Sequence, residues 1–70
     1  MKKIYVNEAK TAQIVLESSS GQYWYVKNQP TKTGLPCAAS ESDEPFMTMQ
    51  MSGIALRTFI HNGEAFSAID

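Results

Sequence analysis

The sequence predicts a small α+β domain in which one C-terminal helix packs on one face of an antiparallel sheet of three to four strands. Three observations predict this class. Residues 12–28 have the pattern of a central β-hairpin, residues 2–7 alternate as a further strand does, and the apolar spacing changes to a helical period after Ser52. With 70 residues, the chain is long enough for a single domain with a small core.

The first predicted strand is residues 2–7, where polar and apolar side chains alternate. This alternation predicts that Ile4 and Val6 point inward and that Tyr5 points outward. Residues 7–10 would then turn the chain toward the hairpin. Tyr5 is therefore expected on the solvent side of the sheet.

The predicted hairpin consists of two runs rich in β-branched and aromatic residues, QIVLE and QYWYVK, on either side of a Ser-rich turn. In a three-residue loop, residues 19–21, Gly21 can take the left-handed conformation that closes a type I turn with a G1 bulge. This loop places Leu16 opposite Trp24. A four-residue loop would place Trp24 opposite Val15 and mix polar and apolar residues on both faces. The three-residue loop is favoured because a half-buried sheet specifies its register through its apolar face.

The favoured register gives the hairpin two chemically distinct faces. The core face consists of Ala12, Ile14, Leu16, Trp24 and Val26. The solvent face consists of Gln13, Val15, Glu17, Tyr23, Tyr25 and Lys27. The single Trp of the chain is therefore assigned to the core, and two of its three Tyr residues are assigned to a surface that a partner could reach.

Residues 28–45 are a long loop without an evident element, and they contain all three Pro residues of the chain. Loops of this length are usually functional or mobile, or they conceal an edge strand. Residues 35–39 are the one place for a short strand, which Pro36 would confine to a sheet edge. The acidic side chains of the loop predict a solvated surface or, alternatively, a contact with a basic partner. They are Glu41, Asp43 and Glu44.

Residues 46–51 alternate cleanly and predict a last strand. Three Met side chains would share one of its faces, either as core residues or as an adaptable binding stripe. They are Met47, Met49 and Met51. An alternative makes Ser42 the N-cap of one long helix that runs to His61. The Ser-Gly break at residues 52–53 favours a strand followed by a separate helix.

The C-terminal helix is predicted to begin at Ser52, a suitable N-cap. Four apolar residues have the spacing of a helical stripe. They are Ile54, Leu56, Phe59 and Ile60. The stripe is expected to pack on the core face of the hairpin. The His-Asn-Gly sequence at residues 61–63 is a stop signal, because Asn or Gly can take the left-handed C-cap conformation. Phe66 and Ile69 would then return to the core.

Composition and charge exclude several classes of protein. Hydrophobic residues make up 43% and charged residues 19% of the chain, as in folded rather than disordered proteins. The formal net charge of −1 provides no basic excess for binding duplex DNA. The longest apolar-leaning run, residues 46–56, is too short to cross a membrane, and the first residues lack the apolar core of a signal peptide. A cytoplasmic protein with no membrane association is predicted.

Cys37 and His61 are the only cysteine and histidine of the chain. Cys37 has no partner for an intramolecular disulfide and is predicted to be a small, partly buried apolar residue. His61 has no second His or Cys at ligand spacing, which argues against a zinc site, and is predicted to be a surface or cap residue. The sequence contains no phosphate-binding or catalytic motif. It therefore predicts neither an enzyme nor a cofactor or metal site.

The strongest candidate for a binding surface is the solvent face of the hairpin. Exposed Tyr side chains on a rigid strand bury a large area with little loss of conformational entropy, as is typical of protein interfaces. Tyr5 would widen this surface, and charged neighbours would frame it. The predicted partner-binding residues are Tyr23, Tyr25, Lys27, Tyr5 and Glu17. The alternative is that another strand or the long loop covers the tyrosines.

These features predict a small non-catalytic protein-binding module, such as an inhibitor or adaptor of the kind that phages and mobile elements encode. One alternative is single-stranded nucleic-acid binding, with bases stacked on Tyr23 and Tyr25 beside Lys27. The balanced charge counts against it. A further alternative is a homo-oligomer, such as a homodimer, in which the hairpin or the Met-rich strand pairs with a second copy.

Overall fold

A computed structural model of the chain describes residues 1–46 and 57–69. Within these residues the fold is a single five-stranded antiparallel sheet, curled into a half-barrel, and contains no helical element. The strands are β1 (Lys2–Asn7), β2 (Gln13–Glu17), β3 (Tyr25–Val26), β4 (Thr58–His61) and β5 (Glu64–Ala68). Their order across the sheet is β3-β2-β1-β5-β4. The predicted α+β class is therefore wrong.

From Thr58 onward, a β-hairpin of β4 and β5 stands where the sequence predicted the rest of the C-terminal helix. Asn62 and Gly63 both have positive φ angles, 51° and 79°, as the two central residues of a type I′ hairpin turn do. The sequence interpretation assigned the same left-handed preference to a helix C-cap. In a helix, Phe59 and Ile60 would share one face. In β4 they point to opposite sides, so that Phe59 is 7% exposed and Ile60 is 68% exposed.

Phe46 closes the open side of the half-barrel. Its backbone N–H donates a hydrogen bond of 2.7 Å to the carbonyl of Trp24, next to β3. Its ring lies 5.3 Å from that of Phe59 in β4, at the other end of the strand order. The predicted strand over residues 46–51 and the predicted helix start at residues 52–56 otherwise lie outside the described residues.

The β2–β3 hairpin forms, but with a longer loop than predicted. Leu16 pairs with Val26 and Glu17 pairs with Tyr25, so residues 18–24 form the loop. The predicted partner of Leu16 was Trp24, two residues away. Because side chains alternate with a period of two, a shift by two residues leaves every side chain on its predicted face. Trp24 and Val26 are accordingly buried.

The concave side of the sheet holds the hydrophobic core. Its buried members are Tyr5, Ile14, Leu16, Trp24, Val26, Phe59 and Phe66. The predicted core face of the β2–β3 hairpin is therefore confirmed for all but Ala12, which packs against this core while partly exposed.

The expected outward orientation of Tyr5 is wrong. Tyr5 lies opposite Ile14 in the β1–β2 ladder, and directly opposite residues point to the same face. Its ring is 0% exposed and lies 4.8 Å from the ring of Phe59. Ile4 and Val6 point to the other, outer side of the sheet, where they are half-buried. Because β1 carries apolar side chains at both parities, its own alternation could not decide which side faces the core.

The long loop covers the outer side of β2. The N–H of Gln13 donates to the carbonyl of Pro36 at 2.9 Å, and its carbonyl accepts from the N–H of Ala38 at 2.8 Å. Cys37 thereby forms an isolated parallel bridge beside β2, within the segment that was the one place for a short edge strand. Gln13 and Val15 are buried, so their predicted placement on a solvent face is wrong.

The side chain of Gln13 anchors this loop. Its Oε1 accepts hydrogen bonds of 2.6 Å from the hydroxyls of both Thr31 and Thr33. Nε2 faces the sulfur of Cys37 at 3.9 Å. A buried amide is costly unless its polar atoms are paired, and these contacts pair them. The loop is thus attached to β2 by backbone and side-chain hydrogen bonds together.

Candidate functional site

The five predicted partner-binding residues do not form one surface. Tyr23 lies in the loop between β2 and β3 and is 45% exposed. Tyr25, Glu17 and Lys27 are half-buried, and Tyr25 pairs with Glu17 in the β2–β3 ladder. Tyr5 belongs to the core on the other side of the sheet. The structure therefore leaves four of the residues in or next to the β2–β3 hairpin and removes Tyr5 from the group.

The loop of residues 18–24, here called the Tyr23 loop, is held at both ends. The backbone of Ser18 pairs with Met1 through bonds of 2.9 and 2.8 Å. The Ser18 hydroxyl accepts from the N–H of Gly21 at 2.8 Å, and Gly21 has a positive φ of 83°. On the far side, the indole N–H of Trp24 donates to the Gly21 carbonyl at 3.3 Å. Tyr23 thus sits in a loop whose ends are fixed to β1 and to the core.

Charged groups of both signs lie near the Tyr23 loop. Lys27, Glu41 and Asp43 line a shallow cavity of about 120 Å³. Glu41 is positioned by a hydrogen bond of 2.9 Å that its carboxylate accepts from the N–H of Asn28. The carboxylate of Glu17 accepts a hydrogen bond of 3.0 Å from the side-chain amide of Gln29. Gln29 also accepts a hydrogen bond of 3.4 Å from Lys2, and the ammonium group of Met1 donates to the Ser18 carbonyl, so this part of the surface is of mixed charge.

A second surface, which the sequence interpretation missed, lies on the outer side of the sheet. It is an open groove of about 590 Å³ between the long loop and β5. Val6 and Ala65 are among its apolar lining residues, and Leu35 contributes from the loop. Ile69, expected in the core, lines it too and is 41% exposed. We call these four residues and the space they enclose the outer groove.

Polar groups frame the outer groove without filling it. Glu8 and Lys10, in the turn between β1 and β2, carry opposite charges at its rim. Asn7 fixes that turn, because its side-chain oxygen accepts from the N–H groups of Thr11 and Ala12 at 2.8 and 3.1 Å. The side-chain amide of Asn7 donates a hydrogen bond of 3.0 Å to a carboxylate oxygen of Glu64. The rim is thus tied to both β1 and β5.

The sequence contained one signal for this groove. Apolar residues of β1 occur at both parities, so one set had to point away from the core. The strand register decides which set points outward. Val6 lies opposite Ser67 in β5, and the N–H of Ile69 donates a hydrogen bond of 3.1 Å to the carbonyl of Ile4. Without the pairing of β1 with β5, nothing brings these residues to the same side as Leu35.

Among residues 1–46 and 57–69, no three His, Cys, Asp or Glu side chains lie close enough together to hold a metal ion. Cys37 is exposed rather than partly buried as expected. His61 is a residue of β4, and its ring lies 5.6 Å from that of Phe46 and 6.0 Å from that of Phe66. Nor does this described part include a helix long and apolar enough to cross a membrane.

Comparison of the chain with known protein families, with characterised proteins and with solved structures finds no match in any of the three. Inference about function therefore rests on the two surfaces, the Tyr23 loop and the outer groove.

Proposed function

We propose that the chain is a small non-catalytic protein-binding module, an inhibitor or adaptor of the kind that phages and mobile elements encode, and that it contacts its partner through the Tyr23 loop. The observation that carries this proposal is the 45% exposure of Tyr23 in a loop whose first residue, Ser18, is hydrogen-bonded to Met1 and whose last residue, Trp24, is buried in the core. Tyr is enriched among the residues that dominate binding energy at protein interfaces.

Preorganisation supports this use of the loop. Binding costs conformational entropy when a loop must become ordered, and a loop already held in place avoids much of that cost. The bond from Gly21 to the Ser18 hydroxyl and that from Gln22 to the Ser20 hydroxyl order the backbone before Tyr23. Beyond it, Trp24 is buried. Tyr23 can therefore meet a partner with little further ordering of the backbone.

The charges near the loop are of both signs. Glu41 and Asp43 flank Lys27, and Glu17 lies opposite Tyr25 in the ladder. With a formal net charge of −1 the chain has no basic excess to bind phosphates, which counts against the alternative of single-stranded nucleic-acid binding. The exposed thiol of Cys37, with no second cysteine, supports action in the reducing cytoplasm.

Affinity capture from cells that carry the gene tests the proposal. Wild-type protein should retain a specific partner that the Tyr23→Ala variant loses, because truncating an aromatic anchor typically costs about 2 kcal/mol or more of binding energy. Gln22→Ala, a change at the exposed neighbour in the same loop, is the matched control and should retain the partner. Recovery of the same proteins by wild type and Tyr23→Ala would contradict the proposal.

A labelled single-stranded oligonucleotide distinguishes the alternative. We expect no binding at low salt, where electrostatic contacts to phosphate are strongest. Binding that weakens with salt and is lost in Tyr23→Ala would indicate that the partner is a single-stranded nucleic acid rather than a protein.

A further inference from the structure

We infer that the outer groove is a self-association surface, in which a second copy of this chain inserts Ile60 while its own groove receives Ile60 in return. This surface is separate from the Tyr23 loop and goes beyond the function proposed above. The two features that it joins are the most exposed isoleucine of the described residues and the apolar depression of about 590 Å³ between the long loop and β5.

The projecting side chain and the groove lie on the same side of the sheet. Ile60 is directly opposite Ala65 in the β4–β5 ladder, and Ala65 lines the outer groove. Side chains that are directly opposite in an antiparallel pair stand about 5 Å apart at Cβ and on the same face. Ile60, 68% exposed, therefore borders the groove. An exposed apolar residue continuous with an apolar depression is typical of an interaction site.

This arrangement is complementary to itself. In a two-fold dimer the same patch is used by both copies, so a projecting residue and a recess side by side can fit each other once the patch is rotated by half a turn. The axis would pass between them, over β5. The outer-face side chains of β5 there are Ala65 and Ser67, the partners of Ile60 and Thr58 in the ladder. Both are small, which lets the two sheets approach closely.

The charges at the rim suit a second copy. Glu8 and Lys10 have opposite signs, so two symmetry-related rims can bring the carboxylate of one copy to the ammonium of the other. A formal net charge of −1 per chain opposes association only weakly. A uniformly charged partner would gain from only one of the two rim residues.

A second copy also explains more of the surface than a small ligand does. The cavity of about 590 Å³ is within the usual range of ligand pockets. A small apolar molecule in it would nevertheless leave Ile60 in water. A second copy covers Ile60 with its own groove and fills the recess with its own Ile60.

Molar mass in solution is the first test. Light scattering or sedimentation of the wild-type chain should give twice 7.8 kDa at high concentration. Ile60→Thr keeps a β-branched residue at an exposed position, so it should fold normally while weakening the dimer by about tenfold or more. Tyr23→Ala should dimerise like wild type. A failure here leaves the Tyr23 loop proposal untouched, and the reverse also holds.

A wild-type chain that stays monomeric at concentrations on the order of 1 mM would overturn the inference. An environment-sensitive apolar dye that binds such a monomer, and binds less to a Leu35→Asp variant, would assign the groove to a small apolar ligand instead. A dimer that is equally tight in wild type and Ile60→Thr would also overturn it, because another surface would then hold the copies together.

Cross-linking tests the position of the axis. In a Cys37→Ser background, Ser67→Cys places one thiol of each copy near the proposed axis, on facing sheets about 10 Å apart. A bis-maleimide with a reach of about that separation should cross-link this variant rapidly. Ser19→Cys in the same background is the control, since the exposed Ser19 belongs to the Tyr23 loop. Equal rates for the two variants would contradict the proposed geometry.

Discussion

The two sides of the sheet are closed in different ways. On the concave side, large aromatic rings fill the space between the strands, with Tyr5 and Phe59 4.8 Å apart and Phe59 and Phe66 5.9 Å apart. On the outer side, a loop covers β2 through polar contacts to Gln13, and the remaining half over β1 and β5 stays open. Stability is thus concentrated on one side, which leaves part of the other side available for contacts.

The largest effect is expected on the concave side. Phe66→Ala should reduce the free energy of unfolding by about 3–5 kcal/mol, because a fully buried ring is replaced by a cavity. That is comparable with the whole stability of so small a domain, about 3–5 kcal/mol. Circular dichroism should therefore show an unfolded chain. Ser67→Ala, the next residue and on the open outer side, should melt like wild type. Similar melting of both variants would mean that the two sides do not differ as described.

An intermediate effect separates the two halves of the outer side. Val15→Ala under the long loop should cost about 2–3 kcal/mol, since two buried methyl groups are lost and a cavity is left. Val6→Ala in the outer groove should cost roughly half as much, because Val6 is only half-buried. Urea denaturation of both variants gives the comparison. Equal losses would show that the groove is closed in solution, as it would be within a dimer at the concentration used.

The smallest effect concerns the attachment of the loop. Gln13→Leu should cost about 1–2 kcal/mol, because the hydroxyls of Thr31 and Thr33 lose the acceptor that they share. The effect should be local, so hydrogen exchange at the Ala38 N–H, which bonds the Gln13 carbonyl, should accelerate more than exchange within β1. Uniform acceleration would contradict a loop held separately by this side chain.

The β2–β3 hairpin shows how much a local pattern can predict. Its existence, its core face and the left-handed Gly21 all follow from the order of residues 13–27. Its loop length does not, because Ser18 is engaged by Met1 and Trp24 by Gly21, and neither contact has a sequence signature. The faces were nevertheless correct, since an error of two residues preserves parity.

The C-terminal half shows where a local pattern fails. The turn at Asn62 and Gly63 requires positive φ angles, and both a helix C-cap and a two-residue hairpin use them. Phe59 and Ile60 could belong to one helical stripe or to opposite faces of a strand. Pairing of β5 with the central strand β1 favours the strand conformation of these residues. This pairing provides hydrogen-bond partners for the backbone of β1 and brings Phe66 and Phe59 into the core.

The candidate surfaces likewise include one part that the local sequence pattern predicts and one part that it does not. The sequence by itself determined that the chain has a hairpin with Ile14, Leu16 and Trp24 on its core side and an exposed Tyr23 beside it, because the alternation of residues is a local property. Only the tertiary structure decided that Tyr5 faces inward and that Leu35 meets β1 and β5 at the outer groove. Those placements depend on which strands pair and in which register, and that choice is made by burial summed over the whole sheet.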